Sequence, residues 1–280
     1  MARIMVISDP HLSPTHGFFW ANWRGACDAA NRLAPDAVIV SGDLCIAGAD
    51  SDAEIAFAAQ ALRGFAPPVH AIPGNHDVGD EPPGQEPDQI IDARRLQRWQ
   101  SAFGTDRFAF ALGGWRVIGL NAQLLGSGLP QESEQDAWLT AELGRDSRPI
   151  MLVLHKPLFD QSADEAELTA SSVNPEPRAR LLSRLAAAPV RLVVSGHLHC
   201  HRDVVRDGLR HVWAPSTAFV QKDRPDASGI AGALMIELDG EDVRVDALEL
   251  PGLVAYDLAE IKGHGRYRYL RDMPPCPPEL

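Results

Sequence analysis

Five short groups of residues stand in order along the chain: Asp9-Pro10-His11, Gly42-Asp43, Gly74-Asn75-His76-Asp77, His155, and Gly196-His197-Leu198-His199. Their side chains offer carboxylate oxygens, an amide oxygen and imidazole nitrogens, without a thiolate. That donor set suits Mn, Fe, Co or Zn better than Ca or Mg. One carboxylate in it is free to bridge, so the set can hold two ions per chain. Two ions about 3.5–4 Å apart polarise a substrate oxygen, hold a bridging hydroxide and clamp the attacking and leaving oxygens of an in-line displacement. Phosphoester hydrolysis is the reaction that most needs all three effects.

Taken singly, the groups carry less. Asp9 and His11 alone read as a helix cap and a surface imidazole. His197 and His199 alternate, and on an extended segment they would face opposite ways unless the backbone turns. Each group, however, follows an apolar, β-rich run, over residues 4–8, 37–41, 70–73, 150–154 and 191–195. All of them therefore sit where strands end, which is where open α/β sheets place their ligands. His16, His70, His201, His211 and His264 fall outside this pattern and read as ordinary structural or surface residues.

The order D-x-H, G-D, G-N-H-D, H, G-H-x-H resembles the calcineurin-like metallophosphoesterase superfamily, and within it the bacterial class III cyclic-nucleotide and glycerophosphodiester phosphodiesterases. The resemblance runs through residues 35–43 and 71–77 and covers roughly residues 2–250. It implies one metal ion held by Asp9, His11, Asp43 and His199, and a second held by Asp43, Asn75, His155 and His197, with Asp43 bridging. It also implies that Asn75 and His76 meet the substrate, His76 at a phosphoryl oxygen or the leaving group, with Asp77 as its orienting partner. Many members carry His-His-Pro where this chain has His155-Lys156-Pro157. A Lys156 ammonium pointing into the pocket would favour a dianionic monoester over a monoanionic diester; one pointing to solvent would have no bearing.

The expected activity is hydrolysis of small phosphodiesters, cyclic nucleotides or glycerophosphodiester-like compounds, by in-line attack of a metal-bridging hydroxide. A phosphomonoesterase, a nucleotide pyrophosphatase or a nuclease would use the same chemistry on other substrates. A noncatalytic scaffold would be expected to lack ligands or the outer histidine, and both are present here. A purely structural metal site would be closed. Related phosphodiesterases are often oligomeric, which keeps a homo-oligomer in view, with the C-terminal region as its contact.

With 280 residues, 45% hydrophobic and 23% charged, the chain can form one large core. The expected division is a catalytic domain over residues 1–250 and a tail over 251–280. A net charge of -12 argues against long nucleic acids, whose binding depends on basic patches. It leaves a small phosphoester, drawn in by the ions, as the expected partner. No window is apolar enough to span a membrane, and the N-terminus enters a strand without a basic-then-apolar leader, so a cytoplasmic protein is expected. Cys27, Cys45, Cys200 and Cys276 show no paired spacing and read as free thiols.

The elements that must position the groups alternate. Strands at 37–41, 69–72 and 150–154 interleave with helices near 19–33, 52–64, 90–102, 133–144 and 177–187. Segments 107–112 and 115–120 form a hairpin across Gly113-Gly114. Segments 202–206, 210–214, 232–238 and 243–248 alternate as antiparallel strands do. Phe19, Trp20 and Trp23 share one side of the first helix, which favours burial over stacking on a base. The Pro-rich stretch 78–87 and the polar stretch 160–177 read as loops leaving the site, fit to shape a substrate pocket. In the tail, Lys262, His264, Arg266, Arg268 and Arg271 interleave with two tyrosines, a solvated face rather than an anion-binding arm. The whole pattern predicts an α/β fold, two mixed β-sheets packed face to face with helices outside: a four-layer αββα sandwich.

Overall fold

Strand β1 (Ala2–Ile7) shows how the layers arise. Its side chains alternate, so Ile4 and Val6 enter one apolar cluster while Met5 and Ile7 enter another. The same division recurs on β6 (Ile150–Leu154), where Met151 and Val153 join Ile4 and Val6, and Ile150, Leu152 and Leu154 face the other way. A strand buried on both faces needs cover on both faces, and the chain supplies it with a second sheet on one side and helices on the other.

The computed structural model describes residues 1–84, 89–222, 224 and 226–257. The first sheet combines β1 with β2 (Ala37–Val40), β3 (Val69–Ala71), β11 (Gly232–Asp239) and β12 (Asp242–Glu249), in the order β12-β11-β1-β2-β3. β1, β2 and β3 run parallel, and β11 and β12 are antiparallel additions. The second sheet has the order β4-β5-β6-β7-β9-β8. Its members besides β6 are β4 (Phe108–Leu112), β5 (Trp115–Leu120), β7 (Val190–Ser195), β8 (Arg202–Arg206) and β9 (Leu209–Trp213). β5, β6, β7 and β9 are parallel, with β4 and β8 antiparallel at the edges.

Helices α1 (Trp20–Leu33), α2 (Asp52–Ala61) and α4 (Ala93–Phe103) cover the first sheet, and α5 (Pro130–Leu143) and α6 (Pro175–Ala186) cover the second. The αββα sandwich expected from the sequence is therefore the observed fold. Phe19, Trp20 and Trp23 are buried, with Trp23 against Phe65 and Trp20 against Phe57, which removes them as a base-stacking platform.

Several elements escaped the pattern because they are too short to show a period. They are α3 (Asn75–Val78), one turn carrying two of the site residues, and the paired strands β10 (Phe219–Val220) and β13 (Tyr256–Asp257). That pairing, with the bond from Val254 N–H to Asn22 Oδ1 at 2.9 Å, docks residues 251–257 on the body of the fold. The first residues of the expected C-terminal extension thus pack on the body of the fold. The basic and aromatic residues of the tail, Lys262 to Arg271, and Cys276 lie outside the described residues. Among the described residues, no helix is long and apolar enough to cross a membrane.

Candidate metal centre

The loops that leave β1, β2 and β3 meet those that leave β6 and β7 at one edge of the sandwich. Asp9, His11, Asp43, His155 and His199 are buried there, and the donor atoms fall into overlapping groups. Asp9, His11 and His199 form one; Asp43, His155 and His197 form another; His11, Asp43 and His76 lie between them. His199 Nε2 stands 3.3 Å from Asp9 Oδ1 and 3.2 Å from His11 Nε2. His155 Nε2 stands 3.2 Å from both Asp43 Oδ2 and Asn75 Oδ1. Metal bonds of about 2.0–2.2 Å put neighbouring donors on one ion roughly 3.0–3.4 Å apart, so these separations fit coordination edges.

The donor chemistry fits as well. Asp43 belongs to two groups: its Oδ2 lies 3.2 Å from His155 Nε2 and 3.9 Å from His11 Nε2, while Oδ1 accepts His76 N–H at 2.8 Å. Asp43 thus has donor atoms of two groups within reach of its carboxylate. Three histidines are oriented through their other ring nitrogen by backbone carbonyls: His155 Nδ1 by Ser41 at 2.9 Å, His199 Nδ1 by Phe219 at 2.9 Å, and His197 Nε2 by Ala170 at 2.6 Å. Such contacts fix the tautomer and leave the opposite nitrogen for the ion. His197 thus presents Nδ1 to the centre, and His155 and His199 present Nε2.

The backbone solves the problem posed by the alternating histidines. Asp9, His11, Asp43, His197 and His199 all have positive φ, between 46° and 70°. Each such left-handed residue costs on the order of 1 kcal/mol or more, and it turns the side chain out of the strand's alternation. His197 and His199 consequently reach the same centre. The glycines beside them are required by space: a Cβ at Gly42 would lie 2.4 Å from the His155 ring, and one at Gly74 would lie 2.2 Å from Asp43 Oδ1.

Charge in the centre is strongly coupled. Burial alone would raise Asp43, but His155 and His76 hold it well below the usual carboxylate range. Burial would lower His155, yet Asp43 and Asp9 hold it up at about 9. His197 is pushed down to about 3 by burial and by the charge on His155. The two nearby thiols take no part in this exchange. Burial pushes Cys200 up to about 12, and burial with Asp77 beside it pushes Cys45 well above its ordinary value.

Two expectations change. Asp77 does not orient His76; its carboxylate accepts the N–H groups of Leu44 (3.1 Å), Cys45 (2.9 Å) and Gly74 (2.9 Å), tying the second and third loops together. The carbonyl of Ile46, 2.7 Å from His76 Nδ1, does the orienting. Adjacent residues on a helical turn point in different directions, which is why sequence neighbours make poor partners here. Lys156 is neither a free anion receptor nor solvated. Its Nζ is buried between Asp80 Oδ1 at 2.6 Å and Glu81 Oε2 at 2.8 Å, and these carboxylates offset its charge. Sequence reading missed both acids, although they lie in the 78–87 loop that it placed at the site.

The family model described as calcineurin-like phosphoesterase matches residues 2–201. This chain belongs to the calcineurin-like phosphoesterase family. It is 31% identical over 200 residues to the serine/threonine-protein phosphatase CPPED1 of Danio rerio, covering 66% of this chain and 62% of that protein. It is 28% identical over 217 residues to a probable cyclic nucleotide phosphodiesterase of Synechococcus, covering 75% of each. The chain thus spans less than two thirds of the length of the phosphatase relative. Among solved structures, a dimetal phosphatase from Danio rerio superposes with a TM-score of 0.60 at 15% identity, covering 88% of this chain and 95% of the other. A purple acid phosphatase from yellow lupin superposes with a TM-score of 0.63 at 13% identity, covering 91% and 52%. These superpositions establish the metallophosphoesterase fold. The donor clusters, from Asp9 to His199, all lie within the residues that the family model matches.

Proposed function

We propose that the chain hydrolyses small phosphodiesters of the cyclic-nucleotide or glycerophosphodiester kind, with two ions of the Mn, Fe, Co or Zn type in the centre. The observation that carries this reading is the membership of Asp43 in two donor groups, with His11 and His76 in one and with His155 and His197 in the other. Asp9, His11, Asp43 and His199 would hold one ion, and Asp43, Asn75, His155 and His197 the other. Bound there, the ions supply Lewis acidity and an activated water.

The protein's own groups do the rest. Asn75 Oδ1 is held toward His155, and its NH2 would meet a phosphoryl oxygen of the substrate. His76 Nε2 faces the centre 4.0 Å from Asp43 Oδ2. With its Nδ1–H given to Ile46 O, His76 carries a proton on Nε2 only as the imidazolium, and that form can protonate a departing alkoxide. Because Asp80 and Glu81 offset Lys156, no surplus ammonium is offered to the second negative charge of a monoester. That supports the diester.

A phosphomonoesterase remains the second reading, favoured by the 31% identity to the zebrafish phosphatase. Metal-stripped protein reloaded with Mn and given bis(4-nitrophenyl) phosphate or 4-nitrophenyl phosphate, with 2',3'- and 3',5'-cyclic nucleotides alongside, separates the two. Faster diester turnover supports the proposal. Monoester preference transfers the assignment to the phosphatase, and two bound ions without turnover would mean a scaffold.

A further inference from the structure

The helical turn α3 presents Asn75 and His76, yet it is too short to hold itself, because a single turn is unfavourable in isolation. The N–H groups at its start must find partners outside it. Gly74 N–H is accepted by Asp77 Oδ2 at 2.9 Å, and His76 N–H by Asp43 Oδ1 at 2.8 Å. The N–H of Asn75 is met at 3.1 Å by Gln123, which lies in the short turn following β5 of the second sheet.

The Gln123 side chain is fully buried, and its two ends do different work. An amide can stand either way round, but a backbone N–H can only donate. The oxygen must therefore face Asn75, and the NH2 must face Glu81 Oε2, 2.7 Å away. Glu81 Oε2 also accepts from Lys156 Nζ at 2.8 Å, and Lys156 Nζ donates to Asp80 Oδ1 at 2.6 Å. The other end of the residue is equally fixed. Gln123 N–H donates to Asn121 Oδ1 at 3.0 Å, and Gln135 grips the backbone of Asn121 twice, at 3.0 Å to its N–H and 2.9 Å to its carbonyl. Held along its whole length, Gln123 sets where Asn75 stands rather than following it. Asn75 Oδ1 lies 3.2 Å from His155 Nε2, and any shift of the turn carries that oxygen with it.

We propose that Gln123 is a positioning residue for Asn75, and that the buried chain Lys156–Glu81–Gln123 sets the affinity of one ion, the one Asn75 would hold with Asp43, His155 and His197, without acting on the other. The inference rests on the two-ion reading above and adds to it residues outside the ligand set.

Mn binding to the metal-stripped full chain, measured by equilibrium dialysis with elemental analysis, tests it without recourse to turnover. Gln123→Met keeps the length of the side chain and removes both hydrogen bonds. It should weaken one of two binding constants about tenfold or more, as loss of a group that orients a ligand does, and change the other less than about twofold. Asn75→Ala should weaken the same constant, and adding Gln123→Met to it should bring no further loss, because the ligand through which Gln123 acts is gone. Glu81→Gln keeps an oxygen for both Lys156 and Gln123 and should bind Mn as the wild type does, whereas Glu81→Met should behave like Gln123→Met. Additive losses in the double variant overturn the proposal, as does equal weakening of both constants, or no weakening, in folded Gln123→Met. If Gln123→Met does not fold, the Glu81 variants decide, and equal Mn binding by Glu81→Gln and Glu81→Met overturns the proposal. A wild type that binds fewer than two ions overturns the two-ion reading itself, and the proposal with it.

Discussion

The first sheet and the second bring different chemistry to the centre. Loops after β1, β2 and β3 supply both carboxylates, Asp9 and Asp43, together with Asn75, His11 and His76, while loops after β6 and β7 supply only imidazoles, His155, His197 and His199. The first half contains one donor group by itself, His11, Asp43 and His76, and the other two groups need imidazoles of the second. The first holds the carboxylates, and the second holds only imidazoles, of which His155 is held up at about 9 by Asp43 and Asp9. Asp9 accepts His197 N–H at 3.0 Å and Asp43 meets His155 Nε2, so the halves join through the groups that would bind metal. The centre therefore depends on sheet packing, and the packing edge is where its charge is balanced.

The sharpest way to break this asymmetry is Asp43→Asn. Both donor groups lose their shared carboxylate, so turnover should fall by several kcal/mol of barrier, roughly a thousandfold, with metal content per chain dropping from two ions toward none. Elemental analysis and nitrophenyl diester turnover check both parts; loss of a single ion would show that Asp43 does not bridge.

On the same half, His76→Ala should slow esters with poor leaving groups by about 100-fold while nitrophenyl esters change little, because a good leaving group scarcely needs the proton. Equal slowing of both would reject the general-acid role.

Lys156→Met probes a link between the halves, since Lys156 follows β6 and its partners follow β3. Two buried carboxylates would lose their cation, at a cost of about 3 kcal/mol in urea unfolding, while the monoester-to-diester rate ratio stays the same. A shift of that ratio toward diesters would restore Lys156 as an anion receptor.

The smallest effect concerns pH in the metal-free protein. His155 titrates near 9 rather than 6.5, so its contribution to stability is complete below 6.5 and is lost as pH rises through 9. His197, held near 3, contributes in the opposite sense: its share is complete above 6.5 and is lost as pH falls toward 3. Asp9 and Asp43 lie below their ordinary 3.8, and their share is lost only in stronger acid. Stability of the stripped chain should therefore decline by on the order of 2 kcal/mol or more between pH 6.5 and pH 9, as measured by urea unfolding, with buried Asp77 and Glu81, pushed up to about 7 and about 8, acting in the same direction. Metal must displace the His155 proton, so Mn affinity should rise over the same interval. A flat profile would place the proton elsewhere.

Much of this was legible in the sequence because strand ends and ligand residues are local features. Apolar runs such as Arg191-Leu192-Val193-Val194-Ser195 announce a strand, and the residues after it are placed by that fact alone. Other features depend on contacts across long separations. The carbonyls of Ser41, Ala170 and Phe219 that orient histidines leave no mark in residue identity, since every residue has a carbonyl. The Lys156 ion pairs join residues 75 and 76 positions apart, a separation that single-chain patterns do not encode. The role of Asp77 misled for the opposite reason: proximity in sequence suggested a partnership with His76 that helical geometry forbids.

The left-handed backbone at five ligand positions has a consequence for evolvability. Those residues are held in conformations that glycine adopts freely, so the chain would gain stability by giving its ligands up. His197→Gly should melt higher than His197→Ala in the absence of metal, and thermal midpoints of the two variants measure the difference. The strained backbone at these five residues is thus held at a cost in stability that glycine would return.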